Sequence, residues 1–249
     1  TKAHHIGSEL ACIDILVALY FSIMKINPEN PKLDSRDWFL LSKGHAALAL
    51  YVTLAKRGFF EEELVLNEFL KNGGKLGGHP DYNSVPGIES SSGSLGHGLS
   101  IGAGVAIARK RDYLSGNIYV LLGDGECNEG MIWEAVMFAA HHKLDNLIAI
   151  IDYNNFQGLG KNERILNLNS LSKKFQSFGW ATKEIDGHNF QELIENLSLK
   201  DNHEKKPLVV IANTIKGKGV KSMENKFESH YQVISNEKKL SDLIEEINS

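Results

Sequence analysis

An α/β fold, a parallel sheet with helices on both faces, is what this sequence predicts, and three observations predict it. Apolar runs alternate with helical stretches, their spacing suits one helix plus one strand per unit, and polar or glycine-rich segments follow the apolar runs. The 249 residues, 42% of them hydrophobic, suffice for a sizeable core, and residues 1–249 read as one domain without repeat, low-complexity tract or linker.

Taken in order, Ser8 to Met24 is helical, with Ser8 as cap and Leu10, Ile13, Leu16, Val17 and Tyr20 at helical spacing. Asn27 to Asp37, with Pro28 and Pro31, is a loop. Trp38 to Ser42 is a strand, Lys43-Gly44 leads into a helix reaching Lys56, and Glu61 to Leu70 is another helix. Asn72 to Gly98 is a long glycine-rich loop, a length that is usually functional or disordered. A helix follows from Leu99 to Arg109. The strands Ile118–Leu122 and Leu147–Ile151 come next, with helices at Met131–Lys143 and Leu171–Phe178. Trp180–Ile185 is a strand, Phe190–Leu197 a helix, Pro207–Thr214 a buried strand and Lys238–Ile247 a final helix.

Composition excludes several classes. A net charge of −4 argues against a nucleic-acid binder. The sequence reads as lacking an apolar run of about 18 residues that could span a membrane, and no signal-peptide pattern opens it. Cys12 and Cys127 are far apart, which argues against a disulfide framework or zinc ribbon and for a reducing cytoplasm. The absence of His-Glu-x-x-His argues against catalytic zinc.

In such sheets ligands bind beyond the carboxyl ends of the strands. Gly123-Asp124-Gly125-Glu126, Asp152-Tyr153-Asn154-Asn155 and Lys216-Gly217-Lys218-Gly219 fall at those ends. Glycines let a backbone approach an anion, and the helix that follows favours negative charge. Asp124 conflicts with a lone anion, and a divalent cation bridging carboxylate to phosphate resolves the conflict. The second oxygen donor belongs at the next strand end, where Asn154 stands with 28 residues between it and Gly125.

Gly-Asp-Gly, that interval, then Asn-Asn resembles the thiamine-diphosphate fingerprint, and its form here is similar to that of the transketolase family. The resemblance covers Thr1 to about Tyr231 and implies the diphosphate-binding domain of that family, with thiamine diphosphate and Mg2+ or Ca2+ as cofactors. It implies that Asp124, the Asn154 side chain and the Phe156 carbonyl bind the metal, that Gly125 gives its N–H to the diphosphate, and that Gly123 and Glu126 belong to the same cofactor site. Ser92-Gly93-Ser94-Leu95-Gly96 resembles the family segment in which a glycine carbonyl meets the aminopyrimidine and a leucine packs on the thiazolium, roles that pass to Gly93 and Leu95.

Four of the ten histidines stand beside glycines or in loops: His5, His45, His79 and His230. Imidazole donates and accepts protons near neutrality. The resemblance implies that His5, His79 and His230 contact donor hydroxyls or move protons, and that His45 and His230 touch the diphosphate side. Glu129 and Glu134 resemble family acids near the dimer contact. The chain departs from the family at His4, at His97 and at Glu228-Ser229-His230-Tyr231, where Gly, Gln and Trp-His-Gly are usual.

The family's activating glutamate and most of its phosphate-binding arginines lie in a second, pyrimidine-binding domain. The stretch from Lys218-Gly219-Val220 to Glu224-Asn225 resembles two-chain members. The resemblance therefore implies a partner subunit carrying that domain, two copies of each chain, and transfer of a two-carbon ketol unit between sugar phosphates. The alternatives are a subunit of a deoxyxylulose-phosphate-synthase-like or 2-oxo-acid-decarboxylating enzyme, and a non-catalytic cofactor-binding subunit. A nicotinamide-binding protein is disfavoured because Gly-x-Gly-x-x-Gly does not follow a strand.

Overall fold

The computed structural model describes residues 5–198, 205–234 and 236–248. The chain opens with α1 (Ile6–Ala18), which relaxes into a π-turn over Leu19–Ile23. Then come β1 (Trp38–Leu41), α2 (Ala47–Lys56), α3 (Glu62–Glu68), α4 (His97–Arg111), β2 (Ile118–Gly123) and α5 (Gly130–His141). β3 (Leu147–Tyr153) leads to a hairpin of β4 (Phe156–Gln157) and β5 (Gly160–Lys161), then α6 (Asn162–Ile165) and α7 (Leu171–Ser177). β6 (Ala181–Asp186), α8 (Phe190–Leu197), β7 (Leu208–Asn213) and α9 (Glu237–Ile247) complete the order.

Five strands pair in parallel in the order β1-β2-β3-β7-β6. β2 is buried throughout because both its faces are covered. Tyr119 and Leu121 pack with α1, α2 and α8 through Leu16, Leu50 and Leu193. Val120 and Leu122 pack with α4, α5 and α7 through Leu99, Ile132 and Phe175. Strand alternation thus builds two cores from one run of apolar residues.

Gly102 sets how closely α4 approaches the sheet, since a Cβ there would lie 2.6 Å from Val120 Cγ2. Gly102→Val is expected to destabilise the chain by about 1–3 kcal/mol through overpacking. Thermal unfolding should register roughly 2–4 °C for each kcal/mol in a domain of this size.

Several boundaries differ from the sequence expectation. α1 starts at Ile6, because Ser8 is buried inside the helix and its hydroxyl serves a lysine instead of a cap. α4 starts at His97 rather than Leu99 and runs on to Arg111, with Gly96 in a left-handed conformation at its N-terminus. Asp152 is part of β3 rather than its terminator.

The expectation on apolar runs is corrected as well. Ile6–Ile23 is long and apolar enough to cross a membrane, with mean hydropathy 1.8. In this fold 56% of that stretch is buried against the rest of the chain, the burial of a core helix.

Candidate active site at the carboxyl ends of the strands

The ends of β1, β2 and β3 open onto a cavity of about 340 Å³. It is lined by His5, His45, His79, Gly93, Leu95, Gly123, Asp124, Gly125, Glu126, Asn154, Phe156 and His230, which are all the residues the sequence nominated for the site. Glu129 also borders it, whereas Glu134 is exposed on α5. His97 is exposed at the start of α4, and His4 lies outside the described residues.

Parallel pairing brings the two key strand ends together. Gly123 is registered with Asp152, and the Asp124 N–H donates to the Asp152 carbonyl at 3.2 Å. The Asp124 carboxylate is 1% exposed and accepts the Gly125 N–H at 2.7 Å and the Asn155 N–H at 2.5 Å. Asn155 takes φ of 66°, which turns the chain back over Asp124. The Asn154 Oδ1 accepts from the Phe156 N–H at 3.0 Å, and its Nδ2 donates to Asp152 at 3.2 Å.

Burial first, and the Asp152 charge second, push the Asp124 carboxyl up to about 7, against the two N–H donors and Lys43. A buried carboxylate held this far from its ordinary range fits a cation that would offset both causes. Among the described residues no group of three or more His, Cys, Asp or Glu is placed to hold a metal. The donors that share this cavity are a carboxylate, an amide oxygen and the carbonyl-bearing Phe156, the hard oxygen ligands suited to Mg2+ or Ca2+.

Glu126 braces the site. One carboxylate oxygen accepts from Ser42 Oγ and from the Gly96 N–H at 2.9 Å, and the other from the Gly123 N–H at 3.0 Å. The side chain thus ties the end of β1, the Gly93–Gly96 segment and the end of β2 together. Burial raises its pKa, with those donors opposing.

The histidines converge as well. The His5 ring lies 5.3 Å from His45 and 5.0 Å from His230, and His45 lies 5.9 Å from His230. Tyr231 packs on the cluster, 5.3 Å from His5 and 4.5 Å from His230. His79 borders the same cavity beside Gly44 and Gly93, and its carbonyl accepts from Tyr51 at 3.2 Å.

Two lysines, Lys43 lining the cavity and Lys216 behind it, are not among the residues nominated from the sequence. Lys43 Nζ pairs with Asp152 and donates to the Ser8 carbonyl at 3.1 Å. Lys216 is fully buried and reaches Ser8 Oγ at 2.8 Å and His230 Nδ1 at 2.9 Å. Among the described residues no carboxylate lies within ion-pair range of Lys216. Burial first, then the Lys43 charge, pulls the Lys216 amine down to about 8, so it remains largely protonated at neutral pH.

An ammonium on Nδ1 leaves the His230 proton on Nε2. Burial and Lys216 hold His230 neutral, down to about 3, and burial followed by Lys43 pushes His45 well below its ordinary value. Neutral imidazoles, a spare ammonium and strand-end N–H groups suit a polyanionic ligand. Residue type and place carry a signal for these lysines, since each sits at a strand end beside glycine in Ser42-Lys43-Gly44 and Lys216-Gly217.

The chain matches the family described as transketolase, thiamine diphosphate binding domain, over residues 1–241. It is 46% identical over 234 residues to one of the subunits of the apulose-4-phosphate transketolase of Phocaeicola vulgatus, covering 93% of this chain and 82% of that protein. It is 43% identical to a 6-deoxy-6-sulfo-D-fructose transketolase subunit of a Clostridium species, covering 94% and 84%. The structure of Campylobacter jejuni transketolase superposes with a TM-score of 0.90 at 32% identity, covering 99% of this chain and 39% of that one. The chain therefore spans most of the subunit relatives and about two fifths of that longer transketolase. It belongs to the transketolase family, and its fold is that family's thiamine diphosphate binding domain.

Proposed function

We propose that the chain is the diphosphate-binding subunit of a two-chain transketolase, which transfers a two-carbon ketol unit between sugar phosphates. The observation that carries this reading is the cavity shared by Asp124, Asn154, Phe156 and Lys43 at adjoining strand ends, with Lys216 behind it. Thiamine diphosphate, when bound, supplies the electron sink for cleaving a carbon–carbon bond beside a carbonyl.

The chain's own residues do the rest. Asp124, Asn154 and the Phe156 carbonyl would hold Mg2+, and the Gly125 N–H, on leaving Asp124, would hold the diphosphate with Lys43 at the cavity wall and the Lys216 charge behind it. Leu95 and Gly93 orient the rings. His5, His79 and His230 bind donor hydroxyls, and the His230 Nε2–H is a proton donor that Lys216 keeps in one tautomer. Both cysteines are buried free thiols, which fits a cytoplasmic setting.

The partner is a subunit carrying the pyrimidine-binding domain and its activating glutamate, with two copies of each chain in the assembly. The subunit relatives are named for a sugar phosphate and a sulfonated sugar, so a phosphorylated or sulfonated ketose is the donor class to try first. The test mixes the purified chain with a pyrimidine-domain subunit, thiamine diphosphate, Mg2+ and a ketose phosphate. Ketol transfer should require both chains. Full transfer by this chain alone would reject the two-chain assignment, and pyruvate consumption would favour a decarboxylating enzyme.

A further inference from the structure

We propose that Asp152 is a positioning residue that fixes the Asn154 amide with its oxygen toward the cation, an inference that rests on the metal-site reading above. Asp152 is 0% exposed and accepts from three side chains: Lys43 Nζ, Thr214 Oγ1 and Asn154 Nδ2. Asp152 is the penultimate residue of β3 and Asn154 directly follows the strand, and the 3.2 Å bond places the carboxylate against the amide.

The orientation follows from what each neighbour can do. A carboxylate with ionised oxygens only accepts, so the amide must turn its NH2 toward Asp152. The Phe156 N–H only donates, so the other end of the amide must be oxygen, at 3.0 Å. The two constraints agree, and Asn154 has one allowed flip. Lys43 and Thr214, from the ends of β1 and β7, hold the carboxylate in place and leave it no freedom to follow the amide.

Asp152→Asn removes one of the two constraints and leaves the Phe156 N–H alone to orient the amide. The new amide can donate as well as accept, so it no longer demands the NH2 of Asn154, and the flipped amide, opposed by the Phe156 N–H alone, gains population and turns NH2 into the cation's position. Partners of this outer kind change metal affinity by about 10- to 100-fold when lost. Thr214→Val keeps the charge and loosens the carboxylate, so its effect should be smaller and in the same direction.

The experiment titrates Mg2+ into the full chain held with excess thiamine diphosphate and follows tryptophan fluorescence and melting temperature. Wild type should bind Mg2+ saturably. Asp152→Asn should need about 10- to 100-fold more Mg2+, and excess Mg2+ should restore wild-type cofactor binding. A purely structural residue would lower the metal-free melting temperature and leave the Mg2+ midpoint unmoved, and that result overturns the proposal. Should Asp152→Asn not fold, Thr214→Val decides, and a wild-type midpoint there overturns the proposal too. Absence of Mg2+-dependent cofactor binding in wild type would remove the metal-site reading itself. Normal binding in wild type with unmoved variants would remove only the role of Asp152.

Discussion

Asp124→Ala is expected to abolish Mg2+-dependent binding of thiamine diphosphate. The loss should exceed about a hundredfold, beyond the range for an outer partner, because Asp124 is the one carboxylate in the proposed ligand set. The ligand-free chain carries a carboxyl pushed up to about 7, chiefly by burial and then by Asp152. A carboxyl raised in the folded state contributes stability at low pH that is lost as pH rises through about 7. Protons and Mg2+ then compete for the same oxygens. The rise in melting temperature on adding Mg2+ with thiamine diphosphate should therefore be small below pH 7 and grow above it. In Asp124→Ala it should be absent at every pH. A variant that keeps the wild-type, pH-dependent rise would remove Asp124 from the metal site.

Lys216→Met is expected to separate stability from binding. The amine falls from 10.5 to about 8 on folding, so at pH 7 it is charged in both states and opposes folding. At 1.36 kcal/mol per pKa unit the penalty is about 3 kcal/mol at most. It is fully present below pH 8, fades as pH climbs toward 10.5, and is absent beyond. Methionine fills the lysine stem's volume without the charge, although the bonds to Ser8 and His230 are lost. The ligand-free variant should melt higher than wild type near pH 7, with the gap closing by pH 10.5. Its affinity for thiamine diphosphate should fall, because the charge left without a carboxylate lies behind the cavity wall and attracts the diphosphate from there. A variant that melts lower and binds as well as wild type would make Lys216 a packing residue.

The strand ends are the legible part. Gly123-Asp124-Gly125 and Asn154 can be placed together because strand, helix and strand have standard lengths, and parallel pairing then dictates which tips adjoin. The four histidines stand out because they lie beside glycines or in loops. What cannot be read is the support behind them. Ser8 looks like a helix cap because the same hydroxyl suits both a free N–H and a buried ammonium, and only the approach of residue 216 decides between them. Lys43 and Lys216 stand at strand ends beside glycine, yet nothing in the sequence says that they are buried, since burial is a property of packing rather than of residue type. Asp152 reads as the end of a strand, where a carboxylate usually meets water, yet Lys43 and Thr214 draw it into the core.

The segments that meet over the histidine cluster come from distant parts of the chain. The His5 N–H donates to the His230 carbonyl at 3.0 Å, and the Gly217 N–H to the Gly7 carbonyl at 2.8 Å. Gly7 admits this crossing because a Cβ there would lie 2.3 Å from Ser229 Oγ. Ser8 and His230 are 222 residues apart. Contacts of such long range form late, after closure of the intervening chain. The sheet can assemble progressively from its strands, whereas this half of the pocket gains Lys216, the His230 tautomer lock and the third imidazole of the cluster only when residues 216–230 close over it. The histidine wall of the pocket is therefore completed only after the sheet that carries the proposed metal ligands.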